Sequence, residues 1–250
     1  MLERAIRKMK ALWHRFENYF YFTGRPSNSN PIALLRRRTV NKARKQIAAD
    51  VELSALLGAT AAKSSSTGCS YSDYWELYRA IRTTKPKHVL ECGSGLSSVV
   101  IAMALNRNWQ ESGVRGLLTS MEDQPAYHEQ IEAIFPELLR PFVELCASPV
   151  KEVSFGREVG TCYSEVPPRP YELVFIDGPQ QRSPRTGAKL FNADFVNVVQ
   201  MTDAPVTAIL DQRVATLWAM KRILPTAEIH YSVVKQLTFI RASKRDLVID

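Results

Sequence analysis

The stretch HVLECGSGLSS, residues 88–98, decides the fold. An apolar strand runs into a Gly-x-Gly turn, and a helix begins directly after it. Gly93 and Gly95 let the backbone turn tightly and let a ligand approach, and the helix start offers free N–H groups. A dinucleotide site would have a third glycine where this chain has Ser98. The loop therefore predicts a ligand at the end of a strand without naming it.

Short apolar strands alternate with helices from residue 71 onward. This order predicts a Rossmann-like doubly wound α/β sheet that is mostly parallel and covered on both faces. The last two strands have only a short turn between them, which predicts an antiparallel pair at the sheet edge. The region before residues 171–176 is predicted to be a loop. The predicted strands are residues 88–92, 116–121, 142–146, 171–176, 206–210, 228–234 and 236–241.

Three of these strands end in an acid, namely Glu91, Glu122 and Asp177. Because ligands of open α/β sheets bind at the carboxyl ends of strands, we expect the three acids to face one crevice. Glu91 suits an ammonium group better than a pyrophosphate, and Glu122 is placed to accept both hydroxyls of a ribose. S-adenosylmethionine carries an amino group, a carboxylate and a sulfonium but no phosphate, so it fits this set.

Together, ECGSGLSS (residues 91–98), the acid at 122 and IDGP (residues 176–179) resemble the class I S-adenosylmethionine-dependent methyltransferases. The likeness is to the branch with E-x-G-S-G-x-S-[ST] and I-D-G-P motifs, and it covers about residues 71–241. The resemblance implies a seven-stranded sheet with an antiparallel last strand. It also implies an enzyme that transfers a methyl group to a small-molecule or glycan-type acceptor, with O-methylation favoured.

The resemblance further implies roles for single residues. The glycine loop should pass under the methionine part of the cofactor, Glu91 should hold its amino group through water, and Ser98 its carboxylate. Glu122 should hold the ribose, Ala147 and Ser148 should approach the adenine, and Asp177 should lie nearest the methyl group. The predicted cofactor site is Glu91, Gly93, Ser94, Gly95, Ser97, Ser98, Glu122, Ala147, Ser148 and Asp177.

Methyl transfer often needs a base, and Asp177 and Asp211 are the catalytic candidates. Some methyltransferases of this fold bind a divalent metal through two such acids and an Asn, where this chain has Gln212. A metal held by Asp177, Asp211 and Gln212 is therefore possible but not favoured, and Asp211 could instead cap the next helix. Arg182 and Arg185 could bind a carboxylate, phosphate or sugar substituent of the substrate, or be solvated loop residues.

The basic excess lies at the N-terminus. Residues 1–50 hold twelve Lys and Arg against three acids, while the whole 250-residue chain has a net charge of +8. We predict a basic helical extension over residues 1–62 and the methyltransferase domain over 63–250, with one helix over 1–24 and another over 32–57. The first helix could pack on its own domain, form a homodimer or lie on an anionic membrane. No nucleic-acid motif accompanies the charge, so a nucleic-acid partner is not expected.

With 45% hydrophobic residues the chain can bury a core. It has no apolar run of transmembrane length and no signal-peptide pattern, so a cytoplasmic protein is expected. Two alternatives to the enzyme remain: a catalytically silent methyltransferase-like scaffold, and an NAD(P)-dependent Rossmann oxidoreductase. The missing third glycine and Glu91 count against the oxidoreductase.

Overall fold

Residues 31–65 and 68–248 are described by a computed structural model in which helices cover both faces of a central sheet. Two of the described α-helices begin at a residue whose side chain caps them, Asp50 and Ser70, and short 3₁₀ helices lie at Glu137–Phe142 and Lys244–Asp246. The α-helices are α1 (Pro31–Ala49), α2 (Val51–Ala61), α3 (Tyr71–Thr84), α4 (Leu96–Ser112), α5 (Pro125–Ile134), α6 (Asp194–Met201) and α7 (Val214–Ile223).

The central sheet has seven strands: β1 (His88–Cys92), β2 (Leu117–Glu122), β3 (Val143–Ala147), β6 (Leu173–Ile176), β8 (Val206–Asp211), β9 (Glu228–Ser232) and β10 (Leu237–Ala242). They lie in the order β3-β2-β1-β6-β8-β10-β9. Neighbouring strands run parallel except β10, which is antiparallel to both β8 and β9. The predicted fold class is therefore confirmed, and each predicted strand agrees with the structure to within two residues at its ends.

The two faces of the sheet bury alternate residues of the same strands. Val89 and Phe175 belong to the apolar cluster on the face of α3 and α4, whereas Leu90 and Val174 belong to the cluster on the face of α6 and α7. All four side chains are fully buried. Because successive side chains of a strand point to opposite faces, a strand buried on both faces must be apolar throughout, as β1 and β6 nearly are.

A second, small sheet was not predicted from the sequence. Its strands are β4 (Val150–Phe155), β5 (Glu158–Tyr163) and β7 (Phe191–Asn192). β4 and β5 occupy part of the loop predicted before residue 171, so that prediction was wrong there, whereas β7 follows β6. β4 and β5 form a hairpin around Gly156, whose φ of +56° suits the tight turn. Only one residue of β4 is buried, so the strand lacks the apolar alternation that would have revealed it.

The predicted single helix over residues 32–57 is two helices in the structure. Asp50 has extended backbone angles, and its carboxylate accepts from Leu53 N at 3.1 Å, so it ends α1 and caps α2. The same carboxylate accepts from Tyr78 of α3 and pairs with Arg107 of α4. Asp50 therefore joins four helices at one point.

Helices α1 and α2 share the core of the sheet domain. Ile47 of α1 and Leu53 and Leu57 of α2 are buried in the same apolar cluster as α3 and α4. The boundary predicted between residues 62 and 63 stays a prediction. The helix predicted over residues 1–24 lies outside the described residues. None of the described helices is long and apolar enough to cross a membrane.

Candidate active site

Two loops cross each other at the carboxyl edge of the sheet. Gly93, after β1, has a φ of +97°, and a Cβ placed on it would lie 2.8 Å from the backbone N of Gly178. A Cβ on Gly178, in the loop after β6, would lie 2.6 Å from the Cα of Gly93. The backbones can therefore cross this closely only because both positions are glycine. The cis peptide between Gly178 and Pro179 follows directly.

The crossing fixes Asp177. Its backbone N–H and that of Gly178 both donate to the carbonyl of Cys92 at the end of β1, the first at 2.9 Å. The Asp177 side chain lies 3.5 Å from the Arg213 guanidinium, and its Oδ2 accepts from the Cys69 thiol at 3.2 Å. Burial raises the pKa of Asp177 above its ordinary value, and Arg213 and the Cys69 contact offset part of the rise.

One cavity, the glycine-loop cavity, has a volume of about 280 Å³ and lies between the crossing loops and the end of β2. Glu122 stands in its wall and is nearly buried. One Glu122 oxygen accepts from Ser94 Oγ at 3.1 Å, and the other accepts from the backbone N–H groups of Asp123 and Gln124. The wall is formed by Ser65, Gly93, Ser94, Glu122, Asp123, Gln124, Tyr127, Asp177, Gly178, Pro179, Gln180 and Arg213.

Glu91 lies behind this cavity, not in its wall. It is fully buried, and its Oε2 accepts from the hydroxyls of Ser98 and Ser120, the latter at 2.6 Å. Its Oε1 has no hydrogen-bond partner in the described structure. Burial raises the pKa of Glu91 to about 7 against the opposing effect of the serine hydroxyls. A buried carboxylate oxygen normally has a hydrogen-bond partner, so this oxygen beside the glycine loop is a place where a donor or a cation would bind.

A second cavity, the Asp211 cavity, has a volume of about 550 Å³ and lies over the ends of β6 and β8. Asp211 ends β8, and its Oδ1 is buried without a hydrogen-bond partner among the described residues. Burial, then the nearby charge of Asp177, raise the pKa of Asp211 to about 6. The wall is formed by Asp177, Gln180, Gln181, Arg182, Lys189, Asp211, Gln212 and Arg213.

Three residues, Asp177, Gln180 and Arg213, stand in the walls of both cavities. Arg213 is held by donating to the carbonyl of Pro179 and to Asn192 Oδ1, each at 2.9 Å. Asn192 in turn donates to the same Pro179 carbonyl. The junction between the cavities is therefore built from fixed polar groups.

The structure separates the two predicted substrate arginines. Arg182 stands in the wall of the Asp211 cavity. Arg185 is outside both walls; its side chain is 79% exposed and pairs with Glu152 at 3.4 Å. Lys189, which the sequence analysis did not single out, lines the cavity with Arg182.

The remaining predicted cofactor residues lie outside the wall of the glycine-loop cavity. Ser97 and Ser98 are buried in the first turn of α4. Ser148 is buried and donates to the carbonyl of Pro149, while Ala147 is exposed at the end of β3. Their predicted contacts with a cofactor stay predictions.

The predicted metal donors, Asp177, Asp211 and Gln212, all stand in the wall of the Asp211 cavity. Both oxygens of Asp177 already face a partner, Arg213 for one and the Cys69 thiol for the other. No group of three or more His, Cys, Asp or Glu residues in the described chain is arranged to hold a metal ion. Asp177 therefore has no unpartnered oxygen to offer a hard cation, and a metal held by Asp177, Asp211 and Gln212 stays a prediction that is not favoured.

Sequence reasoning missed Cys69, Asn192 and Arg213. Cys69 precedes α3, far along the chain from the strand ends, so no local pattern marks it. Arg213 carried a usable signal, because a cation two residues after a strand-ending acid must lie at the same sheet edge.

No protein-family model matches the sequence, and no curated protein matches it. The chain does resemble several solved structures. The O-methyltransferase TomG from Streptomyces achromogenes, in complex with SAM, is 15% identical, with 81% of this chain and 96% of that chain covered and a TM-score of 0.46. The O-methyltransferase from Bacillus cereus, in complex with SAH, is 16% identical, with coverages of 92% and 97% and a TM-score of 0.46.

The SAH-bound methyltransferase PaMTH1 from Podospora anserina is 13% identical, with 76% of this chain and 86% of that chain covered and a TM-score of 0.47. At such identities and TM-scores the likeness carries no functional argument, and function has to be argued from the site.

Proposed function

We propose that the chain is an S-adenosylmethionine-dependent methyltransferase that acts on a small-molecule or glycan-type acceptor, with oxygen as the favoured methyl-accepting atom. One observation carries the proposal: two cavities at the carboxyl edge of the sheet share Asp177, Gln180 and Arg213. A group-transfer enzyme needs its two substrates side by side with the reacting atoms in contact at a shared wall.

The glycine-loop cavity suits the cofactor, which supplies a methyl group on a positively charged sulfur. Its wall contains three acids, Glu122, Asp123 and Asp177, whereas Arg213 is the one basic residue among the described residues that line it. The excess of negative charge favours a positively charged ligand. Glu122 has lone pairs left after its three hydrogen bonds, and these can accept the ribose hydroxyls. Gly93, Ser94 and Gly95 would pass under the methionine part.

Glu91 would act from behind the loop. Its unpartnered Oε1 is a place for a water that links the carboxylate to the ligand's amino group. A cation brought near Glu91 favours its charged form, so we expect the carboxyl to lose its proton as the ligand binds.

The Asp211 cavity suits the acceptor. Asp177 is engaged by Arg213 and Cys69, whereas Asp211 Oδ1 is unpartnered. Asp211 is therefore the carboxylate free to take the proton that an acceptor hydroxyl loses. Its raised pKa of about 6 makes it a stronger base than an ordinary aspartate and still ionised at pH 7.

Calorimetric titration with S-adenosylmethionine and, separately, with NAD tests the proposal. Wild type should bind S-adenosylmethionine, and Glu122→Ala should weaken binding by ~1–3 kcal/mol, because the ribose hydroxyls lose their acceptor. Glu122→Gln shows whether the effect needs the carboxylate when an amide of the same shape is present. Glu137→Ala is the matched control, since the Glu137 side chain is 96% exposed and outside both walls.

Binding of NAD in place of S-adenosylmethionine would contradict the proposal and point to the oxidoreductase. If the chain bound neither ligand, the hypothesis of a catalytically silent methyltransferase-like scaffold would remain.

A further inference from the structure

The loop between β6 and β7 folds back on itself. Arg182 and Lys189 form an antiparallel bridge, and the backbone bond from Leu190 N to Gln181 O, at 3.1 Å, closes the same turn. Directly opposed residues of an antiparallel pair project to the same side. Both residues line the Asp211 cavity.

These two cations have no carboxylate partner among the described residues. Arg182 donates to the carbonyl of Gly187 at 3.2 Å, and Lys189 forms no ion pair within residues 31–65 and 68–248. Arg185, on the same loop, does pair with a carboxylate. Like charges placed directly opposite each other destabilise a strand pair, so folding alone gives no reason for this arrangement.

The backbone that carries the two cations is held in place. Ser183 is buried, donates to Glu152, and accepts from the backbone N–H groups of Arg185 and Thr186. Gln181 donates to Thr216 of α7 at 2.8 Å. The backbone of this loop is therefore ordered before any ligand arrives, which lowers the part of the entropy cost of binding that comes from the loop.

The Asp211 cavity thus has acids at the strand ends and unpaired cations on its loop. We propose that Arg182 and Lys189 bind an oxyanion of the acceptor, a carboxylate or a phosphate, while the group that receives the methyl faces Asp177 and Asp211. Arg donates two parallel N–H groups to such an anion, and Lys adds a point charge. This inference rests on the proposed function, because it names the class of acceptor for the same site.

Titration with inorganic phosphate and with benzoate at low ionic strength tests the inference without a known acceptor. Wild type should bind at least one of the two probes, and the probe bound more tightly identifies the oxyanion. The double variant Arg182→Gln/Lys189→Gln should weaken binding at least tenfold, and each single variant less. Arg185→Gln is the matched control and should change binding less than twofold, because its side chain lies outside the wall.

Both replaced side chains are on the surface, and far-UV circular dichroism checks that the variants fold. Equal binding by wild type and the double variant, a loss in Arg185→Gln instead, or no binding of either probe to wild type would overturn the inference. S-adenosylmethionine titrations of the same proteins separate the two ideas: cofactor binding without probe binding sinks the acceptor class alone, whereas absent cofactor binding sinks the proposed function.

Discussion

Glu91 is a buried carboxyl whose charge the folded chain disfavours. Its pKa is about 7 in the folded protein against 4.5 for the free side chain. Between these values the unfolded chain releases the proton while the folded chain keeps it, so the free energy of unfolding falls as pH rises and is flat above both. This difference in pKa between the unfolded and the folded chain corresponds to a loss of about 3 kcal/mol in the free energy of unfolding. Glu91→Gln should remove this fall and be more stable than wild type at pH 8.

Urea unfolding at pH 5, 6, 7 and 8 measures the difference in the free energy of unfolding between Glu91→Gln and wild type, and this difference should grow with pH. Asp73 and Asp194 also have pKa values of about 7, but their contributions are the same in both proteins and cancel. Glu137→Gln, at an exposed position, should show no such pH-dependent difference. A constant difference for Glu91→Gln across this range would contradict the assignment of the titration to Glu91.

At single positions, sequence reasoning finds the residues whose place follows from a strand end. Glu122, Asp177 and Asp211 could be located this way, because the carboxyl ends of parallel strands meet at one edge. The choice between Arg182 and Arg185 could not be made, since it depends on the register of one backbone bridge. Lys189 was missed for the same reason, as it is opposed to Arg182 only in three dimensions.

Among the elements, the crossing of the loops after β1 and β6 leaves no room for a side chain at Gly93 or Gly178. Gly93→Ala puts a Cβ at a φ of +97° and 2.8 Å from backbone that cannot move aside. We expect a loss of at least ~2 kcal/mol in the free energy of unfolding from strain and overlap together. Ligand binding in the glycine-loop cavity should weaken with it, because Asp177 is positioned by this crossing.

Gly58→Ala is the matched control within α2. A Cβ there meets nothing within 4 Å, so alanine should stabilise the helix by ~0.5–1 kcal/mol. Thermal unfolding should therefore show a lower midpoint than wild type for Gly93→Ala and a higher midpoint for Gly58→Ala. Destabilisation of similar size in both would contradict the crossing argument.

Elements with a strong period could be predicted, and elements held by pairing alone could not. β1 agrees with the prediction in both bounds, because it is an apolar run that ends directly at the glycine turn. The small sheet was missed, as β4 is half-exposed and gains its order from β5. The break at Asp50 was missed: its capping bond to Leu53 N is local, but the contacts of its carboxylate with α3 and α4 exist only in three dimensions.

For the whole molecule, the prediction is that residues 63–250 are not an independent folding unit. Ile47, Leu53 and Leu57 are buried in the core shared with α3 and α4, and each fully buried side chain of this kind is worth ~1.5–3 kcal/mol. Removing all three approaches the ~5–15 kcal/mol that stabilises a typical domain. A chain starting at residue 63 should therefore be unfolded or aggregated, as circular dichroism and size-exclusion chromatography would detect.

Point variants test the same interface without truncation. Leu53→Ala should cost ~2–5 kcal/mol, whereas Val51→Ala, at a position that is 78% exposed, should change stability little. A stable 63–250 fragment together with a neutral Leu53→Ala would support the boundary expected from the sequence instead.

The three side chains common to both cavities have a thermodynamic meaning of their own. Asp177, Gln180 and Arg213 line both cavities, so under the proposed function we expect the two ligands to influence each other's binding. Any factor by which the first changes the affinity for the second is, by linkage, the factor by which the second changes the affinity for the first. If the shared wall shifts when one ligand binds, each ligand is then an effector of the other's affinity.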